Sequence, residues 1–307
     1  MHVDPYIVLG SAVVGLLVGM TGAGGGALMT PMLILLFGVT PSTAISSDLV
    51  AAVLMRPIGA GVHLRAGTVN LRLVRWMVIG SVPAAFFGAY LLHVMGNAKT
   101  AQDNIEMALG AALLLGAAAM TLRLALDRRA GNTRSGTVQS VIARPLPTVV
   151  VGVIGGVIVG MTSVGSGSLM IVLLLFLYPA IGANQLVGTD LTQAVPLTLA
   201  AALGALVFGH VEFGVTASLV IGSVPAVFIG SLISSRVPDR YVRPTIAFVI
   251  FASGLKYIGV GTAALGWTLC AVLLLVALLW LANTQPWREP LAPGLQIDDG
   301  EPTEQAS

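Results

Sequence analysis

The sequence predicts an all-α integral membrane protein built from an inverted internal repeat. Of its 307 residues, 56% are hydrophobic and 9% are charged, and the mean hydropathy is +0.94. A soluble globular protein has about 25% charged residues, so a water-soluble domain is excluded. Several charge-free runs are each about as long as the roughly 20 residues that cross a bilayer. Two blocks of sequence also recur, in the same order, in the second half of the chain.

The order of apolar and charged segments predicts five regions along the chain. Residues 1–123 form a first membrane repeat, 124–147 a cytoplasmic linker and 148–261 a second membrane repeat. One more transmembrane helix follows at 262–285, and an acidic tail at 286–307 ends the chain. The tail has one arginine against five acidic residues, a composition typical of disordered segments.

The internal repeat is visible in two matched blocks. Residues 78–88 return as 220–230 with 9 of 11 positions identical, and residues 19–29 return as 160–170 with 7 of 11 identical. The offset between the copies is 142 residues for the first block and 141 for the second. Two blocks in the same order, at a nearly constant offset, indicate a duplication rather than a chance similarity of apolar sequence.

The placement of positive charge predicts that the second repeat is inverted in the membrane. Cytoplasmic loops carry an excess of Lys and Arg, which places the arginines within 65–75, 123–144 and 236–243 inside. Three spans in each half connect these loops only if the Gly-rich segments, at about 5–37 and 148–178, each enter and leave the membrane on one face. Each half is therefore predicted to be a re-entrant Gly-rich helical hairpin plus three transmembrane helices. The first hairpin opens to the outside and the second to the cytoplasm.

The Gly-rich turns of these hairpins are candidate substrate-binding elements. Glycine costs about 1 kcal/mol relative to alanine inside a helix, so the clusters predict helix breaks. A break in lipid leaves backbone groups unpaired and is tolerated only in buried protein or against a water-filled cavity. Close helix packing through small residues is the alternative explanation. The candidate residues are Thr21, Gly22, Gly24, Gly25 and Gly26 in the first turn and Thr162, Ser163, Gly165, Ser166 and Gly167 in the second.

Three ionisable residues, Asp48, Arg56 and Asp190, lie inside predicted spans. Each costs about 2.5 to 3.5 kcal/mol at a helix centre, which makes each a functional candidate. Asp48 and Asp190 match in the two repeats and are candidate sites for a coupling proton or cation, or else interfacial carboxylates stabilised by the helix dipole. Arg56 suits an oxyanion through its forked donors, or forms an internal ion pair with an aspartate. Gln193 is a further candidate ligand for an anion, or an interhelical hydrogen-bonding group.

Other classes of function find little support in the sequence. The single cysteine, Cys270, makes neither an internal disulfide nor a multi-thiolate metal site, and we predict no metal and no cofactor. The net charge of +2 is too small to indicate nucleic acid as a partner. A membrane-embedded enzyme is disfavoured because the chain has no HExxH motif and no paired catalytic carboxylates on a helix face.

The two Gly-rich blocks, each followed by a helix with a polar start and by a helix with a Gly-x-x-Pro motif, resemble the sulfite exporter TauE/SafE family of membrane transporters. The similarity covers about residues 8–282. It implies a secondary transporter of the bacterial inner membrane that exports a small anion such as sulfite or an organosulfonate. By position, the family's broken elements correspond here to residues 21–26 and 162–168. The second block departs from the first, since Ser163 and Ser166 stand where the first has Gly22 and Gly25.

Two functional hypotheses follow. The first is a secondary carrier for a small anion, supported by the duplication and by the intramembrane Arg56. The second is a proton- or cation-coupled carrier of another small organic solute, in which Asp48 and Asp190 are the principal sites.

Overall fold

The computed structural model describes residues 3–21, 25–96, 101–130, 143–167, 169–179, 181, 183–233, 239–261 and 268. Within these ranges the chain forms ten α-helices and no strand. The chain divides into two compact units, Met1–Gly261 and Thr262–Ser307, and all ten helices belong to the first. The predicted last span, 262–285, and the acidic tail, 286–307, lie outside the described residues apart from Thr268.

The helices follow one another with short connections. They are α1 (Pro5–Thr21), α2 (Gly26–Phe37), α3 (Pro41–Arg65), α4 (Leu71–Gly96), α5 (Ala101–Ala130), α6 (Pro145–Thr162), α7 (Leu169–Leu177), α8 (Ala183–Phe208), α9 (Phe213–Ile233) and α10 (Asp239–Tyr257). Prolines are the first residues of α3 and α6, where the N–H that proline lacks would have no hydrogen-bond partner within the helix. Gly38, in the left-handed region with φ 65°, ends α2 and donates its N–H back to the Ile34 carbonyl.

Six helices in the described part of the chain are long and apolar enough to cross a membrane. They are Pro41–Arg65, Leu71–Met95, Asp103–Leu122, Pro145–Thr162, Gln185–Phe208 and Phe213–Leu232. The prediction of a polytopic, all-helical membrane protein is thereby confirmed. The apolar helices Pro5–Met20, Gly26–Phe37 and Ile246–Tyr257 are shorter. Pro145–Thr162, which the sequence places in the second hairpin, is long enough at 18 residues to be counted among the six.

Both Gly-rich segments consist of two helices that fold back on each other. In the first, Met32 and Phe37 of α2 lie against Gly10 of α1, so the end of α2 returns toward the start of α1. In the second, the Tyr178 hydroxyl after α7 lies 2.6 Å from Thr148 Oγ1 near the start of α6. Each break therefore lies at the far end of a pair of antiparallel helices.

The first helix of each pair packs in parallel against a helix of the other repeat. Helix α1 lies along α9, with the Asp4 N–H donating to Ser218 Oγ at 3.0 Å near their starts and Gly19 facing Val227 further along. Helix α6 lies along α4 in the same way. A Cβ on any of Gly19, Gly80, Gly88, Gly152, Gly156, Gly160, Gly222 or Gly230 would overlap backbone of the facing helix. These small residues let the backbones approach, which explains why the block at 78–88 recurs at 220–230.

Equivalent helices of the two repeats run antiparallel where they touch. The Glu212 N–H, after α8, donates to Ser47 Oγ near the start of α3 at 3.3 Å. The Asn70 N–H, after α3, donates to Thr189 Oγ1 near the start of α8 at 3.1 Å. These two bonds occupy matching positions, 142 residues apart, in the two copies. Helices α5 and α10 are also antiparallel, since Gly110 near the start of α5 faces Gly254 near the end of α10.

Candidate functional site

The two helix breaks meet in the interior of the bundle. Gly26, the first residue of α2, lies so close to Ser163 that a Cβ on Gly26 would overlap the Ser163 carbonyl oxygen. Gly25 faces the end of the Met55 side chain of α3. Thr21 is the last residue of α1. Gly22 and Gly24 lie outside the described residues.

The second break is a buried turn with an unusual backbone. Ser163 has φ 57°, a left-handed conformation that costs a residue with a Cβ about 1–2 kcal/mol. Gly165 and Gly167 follow with φ of 114° and 93°, which favour glycine. Thr162 caps the turn, because its Oγ1 donates to the Ile158 carbonyl and accepts the Val164 N–H.

The Ser163 side chain binds Asp48. The Asp48 carboxylate is 1% exposed, and its Oδ2 accepts hydrogen bonds from Ser163 Oγ at 2.7 Å and from Thr30 Oγ1 at 3.0 Å. Thr30 belongs to α2, Asp48 to α3 and Ser163 to the turn after α6. One carboxylate oxygen thus joins both Gly-rich segments to the second helix of the first repeat.

The matching carboxylate, Asp190, has a different environment. Its Oδ1 accepts a hydrogen bond from Gln193 Nε2 at 3.2 Å, and Gln193 Oε1 in turn accepts one from Ser81 Oγ at 3.2 Å. The repeat offset of 141 puts Gly22 and Ile171 at the positions equivalent to Ser163 and Thr30, so neither equivalent position carries a hydroxyl like those that bind Asp48. The two aspartates are related by sequence and differ in chemistry.

Arg56 lies on α3 two turns after Asp48. Its side chain is 8% exposed, and the carboxylates of Asp190 and Asp48 are close enough to interact with its charge. Its Nε and Nη2 atoms are buried and have no hydrogen-bond partner among the described residues. Thr198, its counterpart in the second repeat, instead donates its Oγ1 hydrogen to the Ala194 carbonyl of its own helix at 2.7 Å. A buried guanidinium with two free N–H directions can bind an oxyanion.

Further buried polar atoms lack partners in the described part of the chain. Ser166 Oγ in the second turn, Ser46 Oγ on α3 and Gln185 Oε1 on α8 are each buried without a hydrogen bond there. Buried polar groups are normally satisfied, so each of these atoms has capacity for a ligand or for water.

Sequence reasoning did not single out Thr30 and Ser81, which complete the networks of the two aspartates. A signal for Thr30 exists, because it is the only hydroxyl residue of the otherwise apolar α2. Ser81 lies within the block 78–88, where a serine among small residues gives no sign of a polar role. Its contact cannot be read from sequence, because Ser81 and Gln193 are 112 residues apart.

A bundle of apolar helices with two buried carboxylates and a buried arginine at its centre defines a multi-pass membrane protein with a polar intramembrane site. The model of the sulfite exporter TauE/SafE family matches residues 7–257, and the chain belongs to this family of membrane transporters. The resemblance noted in the Gly-rich blocks is therefore confirmed.

Relatives from Bacillus subtilis (strain 168) agree with this assignment. The chain is 40% identical over 253 residues to "Probable membrane transporter protein YjnA", covering 82% of this chain and 98% of that protein. It is 23% identical over 251 residues to "Probable membrane transporter protein YdhB", covering 81% of this chain and 98% of that protein. A third, "Probable membrane transporter protein YunE", matches over 104 residues at 35% identity, covering 34% of this chain and 36% of that protein. No solved structure matches.

Proposed function

We propose that this protein is a secondary transporter that exports a small anion, such as sulfite or an organosulfonate, with Arg56 as the anion-binding residue. The observation that carries the proposal is the buried Arg56 guanidinium, whose Nε and Nη2 have no hydrogen-bond partner among the described residues. An unpaired buried N–H of a charged group costs more than about 1–3 kcal/mol. A ligand with two oxygens removes this cost and is oriented by the fork of the guanidinium.

The two helix breaks support an anion site at the same place. Helix α2 begins at Gly26, and the positive end of a helix dipole favours an anion. Broken helices near the bilayer midplane use this end to bind anionic groups in inverted-repeat transporters. Met55, next to Arg56, lies against Gly25, so α3 passes the first break at the level of the arginine. The candidate ligands are thus Arg56, the residues of both Gly-rich turns and Gln193.

The helix packing supports an inverted repeat with two re-entrant hairpins. Antiparallel contact between equivalent helices, as in α3 with α8 and α5 with α10, is what a twofold axis in the membrane plane produces. The fold-back of α2 on α1 and of α7 on α6 fits hairpins that open on opposite faces. The last span, 262–285, and an acidic tail in the cytoplasm remain part of this proposal.

The choice of substrate and direction rests on the description of the family as sulfite exporters. Sulfite and sulfonates present several oxygens on one sulfur atom, and this geometry fits the two free N–H directions of Arg56.

Flux measurements test the proposed function directly. Purified protein in proteoliposomes should release ³⁵S-labelled sulfite and labelled methanesulfonate faster than protein-free liposomes. Labelled glycerol in the same vesicles controls for leakage. Release of neither anion above the protein-free rate would reject the proposal.

The alternative is a proton- or cation-coupled carrier of another small organic solute. It is favoured by the buried Asp48, whose carboxylate accepts hydrogen bonds from Thr30 in the first repeat and Ser163 in the second. If the alternative holds, unlabelled sulfite and methanesulfonate will not slow the transport of a labelled organic solute by the proteoliposomes.

Cysteine accessibility tests the hairpin topology. In a Cys270→Ser background, Thr40→Cys, exposed after α2, should react with an impermeant maleimide from outside the cell. Pro179→Cys, exposed after α7, should react only in inside-out vesicles. Thr68→Cys, in the connection between α3 and α4, marks the cytoplasmic side as a control. Reaction of Thr40→Cys and Pro179→Cys from the same side would contradict the inverted repeat.

A further inference from the structure

The buried centre contains more negative than positive charge. Among the described residues, the buried charged side chains are Asp48, Arg56 and Asp190. With both carboxylates ionised the centre carries one net negative charge, and with one of them protonated it is neutral. An uncompensated buried charge costs several kcal/mol, so the neutral state is favoured in the empty transporter.

Among the described residues, no other charged side chain is buried with this centre. Helices α2, α6 and α9 contain no Asp, Glu, His, Lys, Arg, Tyr or Cys, and α8 contains Asp190 alone. The titratable residues of α4 and α5 lie toward the helix ends. They are Arg72, Arg75, Tyr90, His93, Asp103, Glu106, Arg123, Asp127, Arg128 and Arg129. On α3 itself, His63 and Arg65 lie in the last turn. The charge balance of the centre is therefore set by three residues.

Binding of an anion changes this balance by one charge. A monovalent anion beside Arg56 makes the singly protonated centre negative again, and protonation of the second carboxylate restores neutrality. The neutral loaded centre thus holds one more proton than the neutral empty centre. On the basis of the proposed anion transport, we propose that each monovalent anion crosses the membrane together with one proton, which is taken up by the carboxylate pair Asp48 and Asp190.

The contacts of Asp48 suit a carboxylate that is protonated in the empty centre. Both hydrogen bonds of Asp48 go to Oδ2 and come from neutral hydroxyls, so a proton on Oδ1 leaves them in place. The proton added with the anion then goes to Asp190, and the two carboxylates act as a pair.

The coupling has consequences for selectivity and direction. A divalent anion leaves the centre with one net negative charge even when both carboxylates are protonated, so monovalent hydrogensulfite or methanesulfonate is preferred over sulfate. The cycle moves no net charge. An anion produced inside the cell leaves whenever its own gradient exceeds the opposing pH gradient.

Proton and anion fluxes in the same proteoliposomes test the coupling. With trapped pyranine and labelled methanesulfonate, we expect one proton per anion, a rate that is unaffected by a valinomycin-clamped potential, and no effect of sodium. A pH gradient alone should drive accumulation. Anion flux that follows the potential without proton movement, or that requires sodium, would overturn the coupling while leaving the proposed function intact. Absence of any anion flux would instead overturn both.

Two variants test the carboxylate pair. Asp48→Asn combined with Asp190→Asn leaves Arg56 as the only charge of the centre, so methanesulfonate should still bind in an equilibrium assay, while at least tenfold of the accumulation driven by the pH gradient is lost. Glu212→Gln removes an exposed carboxylate between α8 and α9 and should keep normal coupling. Normal proton coupling in the double variant would overturn the assignment to this pair. The stoichiometry of the unaltered protein tests the coupling even if the double variant does not fold.

Discussion

Replacement of Arg56 by glutamine should nearly abolish anion binding, and replacement by lysine should weaken it about tenfold or more. Lysine keeps the charge but loses the two-pronged geometry, and a hydrogen bond to a charged group contributes about 1.5–3 kcal/mol. Arg56 is 8% exposed, and its Nε and Nη2 have no partner in the described chain, so these are the donors that a ligand engages. Equilibrium binding of labelled sulfite to purified protein in detergent measures the effect.

Melting temperatures of the same samples separate binding from a structural ion pair. Arg72→Gln removes an exposed arginine at the start of α4 and should change neither affinity nor melting temperature. If Arg56 only neutralises Asp190, Arg56→Gln will lower the melting temperature without changing affinity. Asp190→Asn in addition would then restore stability. That pattern would contradict the role of Arg56 in binding.

The membrane class and the helix breaks were predictable from the sequence because they depend on local composition. Long charge-free runs are stable inside a membrane, and clustered glycines within them weaken a helix whatever the rest of the fold is. The matched blocks at 78–88 and 220–230 also pointed to a repeat. The pairing of helices was not predictable in this way. Each block packs against the first helix of the other repeat, and only the folded chain places Gly19 beside Val227.

The candidate site was predicted as a set of residues but not as a network. Asp48 and Asp190 have equivalent sequence positions, but Asp48 is bound by Ser163, 115 residues away, and Asp190 by Gln193, three residues away on its own helix. For the glycines, the sequence left ligand binding and close packing as alternatives. At Gly26 close packing is present, since this residue touches the backbone of Ser163, and the contact lies beside the buried carboxylate. Close packing at Gly26 brings the two breaks together, so at this position the packing role and the proposed binding role do not exclude each other.

Gly26→Ala should reduce transport at least tenfold and lower the melting temperature. Alanine is favoured over glycine in a helix by about 1 kcal/mol, so propensity alone would stabilise α2. The added Cβ, however, overlaps the carbonyl oxygen of Ser163, and this backbone atom cannot move aside as the end of a side chain can. Overpacking of this kind costs about 1–3 kcal/mol and here would separate the two breaks.

The matched control for this variant is Gly61→Ala, another helical glycine, whose Cβ would have no neighbour within 4 Å. It should keep normal flux and an equal or higher melting temperature. A second variant, Ser163→Gly, relieves the left-handed strain at φ 57° but leaves the obstructing carbonyl in place, so it should not rescue Gly26→Ala. Rescue would mean that the Ser163 side chain, rather than the backbone contact, limits the approach of the two breaks. Normal flux and stability in Gly26→Ala itself would show that the breaks need not touch, and the anion site would then have to be sought along α3 alone.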